Sequence, residues 1–358
     1  MISFNGIEFI NQLNLKVMKT HSLIIFLIIL VLGFSACKEI TVTTKVNEDG
    51  SFTRTITVIG DSSAVLNAVL PYPVDRTWQK RFEKDTTDTD NYILTYSKTY
   101  NNSDGLKDEI NQDTSWRNQL TRHIDIEKSF GFFYSYLTFK EVYKTANLFT
   151  KVDKKDFFTD EDLDWISGQK IAVTAKDSAR IEKADERVEG YLLEAITLEI
   201  VDILTIGIQG LNNPALHADD VIIWKDSIKK KVDEWEWDKP ERFIDYYCDW
   251  TGIPEVEELK NLESPTFSEL AQKIMLLKNI IEMDTYKQNV EMPGLITETN
   301  SVSLKGNTVS WNFDPVPILF RDYEMYVESR VVNYWAFILL GVVLLMLISL
   351  LLIKSFRK

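Results

Sequence analysis

The sequence predicts an α+β protein: an antiparallel β-rich base formed by both ends of an extracytoplasmic region, an all-α insertion between them, and a C-terminal transmembrane helix. Three observations carry this. Residues 40–60 and the stretch from Leu295 onward alternate apolar and polar side chains with period two, whereas residues 145–283 show a period near 3.6. The stretch Tyr334–Ile353 is 20 residues without a charge, the length needed to cross a bilayer.

Taken in order, the chain opens on a targeting segment. Ser22–Ala36 is a hydrophobic run of 15 residues preceded by Met18-Lys19-Thr20-His21, the length and flank of a signal-peptide core. Met18 is the expected true start, because Met1–Val17 adds a polar segment carrying Glu8, foreign to such signals. The next residues, Leu32-Gly33-Phe34-Ser35-Ala36-Cys37, resemble the lipobox of bacterial lipoproteins, with Phe34 where a leucine is usual. That resemblance implies cleavage before Cys37 and a lipid thioether on its sulfur.

Ile40–Gly60 (ITVTTKVNEDGSFTRTITVIG) reads as a hairpin turning at Asn47-Glu48-Asp49-Gly50. Further strands are expected over Tyr92–Tyr100, Leu120–Lys128 and Phe132–Tyr143; the last is aromatic on both faces and suits a central position. Asp85–Asn91 and Asn101–Gly105 read as loops. Helices are expected over Asp160–Ser167, Ser178–Leu211, Asp219–Glu236, Pro240–Trp250 and Phe267–Met283, the second with an apolar stripe at Ile181, Ala184, Val188, Tyr191 or Leu192, and Ala195. Strand character returns in Leu295–Leu304 and Thr308–Phe313, a second hairpin around Lys305-Gly306-Asn307, and in the alternating Tyr323–Glu328.

The segmentation is a signal peptide over 1–36, a β-rich segment over 37–144, a helical insertion over 145–284, a β segment completing the base over 285–333, a membrane helix over 334–353 and a tail over 354–358. Tyr334-Trp335 suits the membrane interface, and the closing Lys-Ser-Phe-Arg-Lys places the C-terminus in the cytoplasm by the positive-inside rule. The expected location is therefore the bacterial inner membrane, with both ends of the base held there and the insertion projecting outward.

The whole chain carries a net charge of −14. Two lysines and one glutamate lie within 1–37 and three cations close the chain, which leaves the body over 38–333 at −18. Such a body repels phosphate backbones, so nucleic acid is excluded as a partner, and it is repelled by anionic headgroups too. With Cys37 lipidated, Cys248 has no partner for a disulfide and reads as a packed core residue.

Chemistry-bearing motifs are scarce. Nucleotide-binding, serine-hydrolase, zinc-protease and CxxC signatures are absent from the sequence. His123, Asp125 and Glu127 share a strand face, read as a solvated one. His217 precedes Asp219 and Asp220, which read as helix caps, and Asp160, Asp162 and Asp164 lack the glycine and the final glutamate of a calcium loop. No catalytic residue, metal ligand or cofactor is implied. The remaining candidates for binding are the tryptophans of the insertion, Trp224, Trp235, Trp237 and Trp250, since aromatic side chains make sugar platforms and interface anchors.

Met292–Phe313 (MPGLITETNSVSLKGNTVSWNF), followed by an acidic strand and the terminal helix, resembles the end of LppM-type bacterial lipoprotein domains. The shared features are the Pro-Gly step, Thr-x-x-Asn and the Gly-Asn-Thr-Val-x-Trp hairpin; residues 145–283 depart from the compact family form. The resemblance implies a cell-envelope lipoprotein that binds lipid, glycan or a protein partner. A hydrolase with scattered carboxylates, or a structural assembly factor of a membrane complex, stand as alternatives.

Overall fold

The computed structural model describes residues 38–356 except 87, 89, 168–173, 212, 214–215, 235–238 and 261–264. The segment over 1–36 read as a signal peptide, and Cys37, therefore lie outside the described residues.

Period-two patterning builds two sheets. The first contains β1 (Glu39–Val46), β2 (Phe52–Gly60), β3 (Gln79–Lys84), β4 (Tyr92–Tyr100), β7 (Tyr286–Glu291), β9 (Ser303–Lys305) and β10 (Thr308–Phe313), in the order β3-β4-β2-β1-β7-β10-β9. The second contains β5 (Arg122–Phe130), β6 (Tyr134–Tyr143), β8 (Leu295–Thr299) and β11 (Tyr323–Val332), in the order β5-β6-β11-β8. Both sheets join early and late strands, through β1 with β7 and β6 with β11. The base is not wholly antiparallel, however: β1 and β7 run parallel. Parallel neighbours need a long crossover, and here everything between them, helices included, is that crossover.

The inner faces meet in one core. In β2 every second side chain from Phe52 to Val58 is buried. Tyr143 packs on Phe313, with ring centroids 4.6 Å apart, and shares a 2.9 Å hydroxyl–hydroxyl hydrogen bond with Tyr286. The chain leaves the base after Tyr143 and returns at Tyr286, so the insertion grows from one pole. Short helices α1 (Ser62–Leu66) and α2 (Ser103–Gln112) flank the sheets. Asn102 caps α2 by accepting from the Asp104 N–H, which is why Asn101–Gly105, expected as a loop, in fact starts a helix.

The insertion comprises α3 (Asp160–Ile166), α4 (Ala175–Leu211), α5 (Lys225–Asp233), α6 (Arg242–Thr251) and α7 (Pro265–Glu282). Thr159 and Asp162 close a capping box on α3, which accounts for its acidic start. Ile196, Ile200, Leu204 and Ile208 of α4 are buried, as are Phe243 and Tyr247 of α6 and Ile274 and Leu277 of α7. The single helix expected over 219–236 is instead a 3-10 turn over Ala218–Trp224 followed by α5, and the cap position falls to His217 without a side-chain bond rather than to Asp219 or Asp220. A rim of aromatics fastens insertion to base: Phe320 lies 4.9 Å from Phe158 and 5.5 Å from Tyr191 between ring centroids.

Leu295–Leu304 was expected as one hairpin arm, but it divides between sheets. β8 pairs with β11, and only β9 pairs with β10. Asn300 makes the crossing: its side-chain oxygen accepts from Trp311 Nε1 and Tyr326 N, both at 3.0 Å, and its amide donates to Glu324 O at 2.7 Å. Gly294 has φ +76, and a Cβ there would sit 2.2 Å from the Arg330 carbonyl oxygen. The residues of Met292–Phe313 are thus used for crossing and turning.

β11 ends one residue before α8 (Tyr334–Phe356). Among the described residues this is the one helix long and apolar enough to cross a membrane, over Tyr334–Lys354, with a mean hydropathy of 3.2 and almost no burial within the chain. Its start marks one pole of the base. Thr44, Arg54 and Glu141 lie at one level, since Thr44 pairs with Arg54 and Arg54 contacts Glu141. From that level Tyr134 lies seven residues toward α8 and Lys38 six residues away from it; at about 3.3 Å per residue the two are roughly 40 Å apart along the strands. Lys38, ion-paired to Asp284 at 2.7 Å, sits at the pole that carries the insertion.

Candidate functional site

The segment from Ala68 to Trp78, between α1 and β3, has little regular structure and is tied down along its length. Val69 N donates to Asp284 Oδ2 at 2.9 Å, Arg117 Nε to Leu70 O at 2.8 Å, and Arg122 Nη1 to Pro71 O at 3.0 Å. Between this strap, Arg117 and the edge of the larger sheet lies an open cleft of about 660 Å³. Tyr72, Trp78 and Tyr96 line it, together with Arg76, Lys80 and Arg117. Lys80 Nζ stands 5.6 Å from the Tyr96 ring centroid. Asp75, the one carboxylate in the lining, is held below the usual carboxylate range by the Thr77 hydroxyl and N–H. Three cations against one anion is the reverse of the balance in the body as a whole. Trp78 is buried, and its Nε1 has no hydrogen-bond partner.

Tyr72 joins the cleft to an ionic cluster between the sheets. Glu141 Oε2 accepts from Arg54 Nη2 at 3.0 Å, and its Oε1 accepts from Arg122 Nε at 2.8 Å and from the Tyr72 hydroxyl at 2.7 Å. The Tyr72 ring is covered by both guanidinium groups, at 4.3 Å for Arg54 and 3.7 Å for Arg122, a cation–π arrangement. Burial pushes the Glu141 carboxyl up, but Arg122 and Arg54 outweigh it and hold it below its ordinary value. Burial pushes the Tyr72 hydroxyl far up, so it stays protonated and donates. The cluster is buried and sets two guanidinium groups against one carboxylate, with Arg54 Nη1 left without a partner among the described residues; it positions the strap and does not present a reactive group. Arg54 was legible as an anomaly, a charge at an inward position between Phe52 and Ile56. Glu141 likewise follows Leu137 and Phe139 on the inner face of β6.

Of the sequence-derived binding candidates, Trp224 and Trp250 come together. Their rings stack at 5.6 Å and 13°, and Tyr246 extends the stack at 6.0 Å from Trp250. All three are half-buried, and Lys231 Nζ stands 5.0 Å from the Tyr246 ring. Trp235 and Trp237 lie outside the described residues. Ile222 and Ile223 beside Trp224 are exposed. The insertion thus carries an aromatic ladder on its surface, remote in the chain from the cleft.

The titratable candidates do not assemble. His123 is exposed, and Asp125 of the same face pairs with Lys107 at 2.5 Å. His217 is exposed on a different element. Asp162 pairs with Arg187, and Asp164 with Arg321 at 2.8 Å. Among the described residues no group of three or more His, Cys, Asp or Glu is placed to hold a metal ion. Cys248 is half-buried rather than deep in the core, its Sγ 3.5 Å from Ile253 O.

No family model, no curated protein and no solved structure matches this chain.

Proposed function

We propose that this chain is a membrane-held cell-envelope binding protein, whose extracytoplasmic body takes an anionic ligand in the cleft beneath the Ala68–Trp78 strap. The observation that carries the reading is the lining: three cations around one carboxylate, with the half-buried Tyr96 ring beside Lys80, in a strongly acidic body. Guanidinium and ammonium groups hold an acid group, and the half-buried Tyr96 ring offers a face to the apolar side of a sugar or glycerol backbone. The shared chemistry is an acid group on a polyol, supplied by an anionic lipid headgroup or an acidic glycan. A hydrolase would need an acid and a base within reach of one bond; the cleft offers Asp75 alone, already engaged by Thr77. The stacked Trp224–Trp250–Tyr246 surface is the second recognition element, suited to a protein partner.

The α8 helix would hold the body at the inner membrane with the C-terminus in the cytoplasm, as its flanking charges favour. Lipidation of Cys37 remains part of the proposal, and the fold attaches a condition to it. Lys38 and Tyr334 stand roughly 40 Å apart along the strands, so two attachments in one bilayer require the base to lie along its surface. The likeness of Met292–Phe313 to LppM-type domains points to the same class of envelope protein.

The test is a titration of the detergent-solubilised full chain with short-chain phosphatidylglycerol in one arm and oligomeric glucuronate in the other. Saturable binding in one arm, weakened about tenfold or more (~1.4 kcal/mol) by the exposed charge reversals Arg76→Glu and Lys80→Glu, is the expected result. Binding in neither arm, or binding indifferent to both reversals, sinks the cleft reading. An intact-mass measurement of the same material reports the acyl chains on Cys37; a free thiol there ends the lipoprotein proposal.

A further inference from the structure

The hairpin between β5 and β6 points at the start of α8 and is built to stay there. Asn333, the one residue between β11 and α8, accepts from Ser135 Oγ at 3.0 Å. It donates its backbone N–H to Phe133 O at 2.9 Å and its side-chain amide to Gly131 O at 2.7 Å. Gly131 is required where it stands: a Cβ would meet the Tyr134 carbonyl oxygen at 2.6 Å. Trp335 then lies between two rings of the tip, 6.1 Å from Phe130 at 9° and 5.3 Å from Phe132 at 76°, while Phe337 packs 5.0 Å from Phe133.

Despite these contacts the tip is open to its surroundings. Phe130 is 70% and Phe132 49% exposed, and Leu295, paired beside Arg330 at the same pole, is 58% exposed. Exposed apolar side chains clustered at one end of a strand pair mark a contact surface. Their continuity with an apolar helix, which leaves the base one residue after β11, identifies the occupant.

We propose that the Phe130–Phe133 tip, with Trp335 and Leu295, is a lipid-contacting foot that seats the base in the interfacial layer of the bilayer crossed by α8. The inference rests on the reading of α8 as a spanning helix. The foot works through apolar and aromatic insertion, because a body with a net charge of −18 is not drawn onto a membrane surface by its overall charge. Its consequence is that the body is not free to swing on a linker. The Asn333 bonds and the ring contacts hold it in a set orientation relative to the membrane, and the cleft is held with it.

The test is photolabelling of the full chain in phosphatidylcholine nanodiscs doped with a diazirine-bearing phosphatidylcholine, with adducts mapped by peptide mass spectrometry. Adducts on both 129–135 and 334–354 are expected. In the double variant Phe130→Ser/Phe132→Ser, those on 129–135 should fall to background while those on the helix persist. Both rings are exposed, so the variant should keep its thermal unfolding midpoint. Adducts on the helix but none on the tip overturn the foot and leave the spanning helix standing, and protection of the tip by a second copy would give that result. Adducts on neither segment overturn both.

Discussion

The base and the insertion bury their interiors by opposite means. The insertion is packed around α4 with aliphatic and aromatic side chains, and most of its charged pairs, such as Glu194 with Lys225 and Lys229, sit at a half-open rim. The base places Arg54, Arg122 and Glu141 in its centre, closed over by Tyr72. An apolar interior tolerates repacking, since any shape of similar volume serves. A buried ionic cluster does not, because each member left without its partner carries its full desolvation penalty. The base is thereby committed to one alignment of its two sheets, and the strap that roofs the cleft is aligned with them.

Four substitutions, read by region-resolved hydrogen exchange and thermal unfolding of the solubilised chain, sharpen or break this contrast. Glu141→Gln strands two guanidinium groups and should destabilise the base by about 3–5 kcal/mol, with exchange rising in β2, β5 and β6 before α4. Equal loss across α4 would show one cooperative unit and erase the distinction. Leu204→Ala, at a fully buried site in α4, should cost about 2–4 kcal/mol through the cavity it leaves, with the exchange change centred on α4 and its partners. Asn300→Ala removes the acceptor of Trp311 Nε1 and should cost about 1–2 kcal/mol, loosening the crossing between β8 and β9. Glu194→Gln, at a half-open ion pair, should cost about 0.5 kcal/mol or less; a loss as large as that of Glu141→Gln would mean that the rim charges matter as much as the buried ones.

The pH dependence follows from the same cluster. The Glu141 carboxyl lies below its ordinary value in the folded chain, held there by Arg122 and Arg54 against burial. Its contribution is therefore complete above the ordinary carboxylate range and is lost as pH falls through the depressed folded value. Acid unfolding followed from pH 7 downward should show this loss in the base, and Glu141→Gln should flatten that limb. An unchanged acid limb in the variant would assign acid sensitivity to other carboxylates.

How much was legible depended on range. β1, β2, β4 and β6 follow period two closely enough to be placed within about two residues, β11 begins where expected but runs on to Val332, and α4 follows its stripe. β3, with the polar sequence Gln79–Lys84, carries no such signal because it is an edge strand with mostly exposed side chains. The division of Leu295–Leu304 between two sheets was hidden for a different reason. Its alternation is continuous, and only the Asn300 bonds to both sheets show where the chain crosses. Trp224 and Trp250 are plain in the sequence as aromatic residues, but their stacking is a contact between α6 and the 3-10 turn over Ala218–Trp224.

The sequence by itself determined the class of the main segments: alternating strands at both ends of the body, an amphipathic helical block between them, and a strongly apolar helix at the end. Those properties are periodicities and lengths, which a local window contains. Only the tertiary structure decided that β1 and β7 are parallel neighbours, that Arg54 and Glu141 meet, that the strap roofs a cationic cleft, and that Lys38 and Tyr334 stand at opposite poles. Each of these is a relation between residues far apart in the chain, set by how two sheets align around buried charge, and no local pattern encodes it.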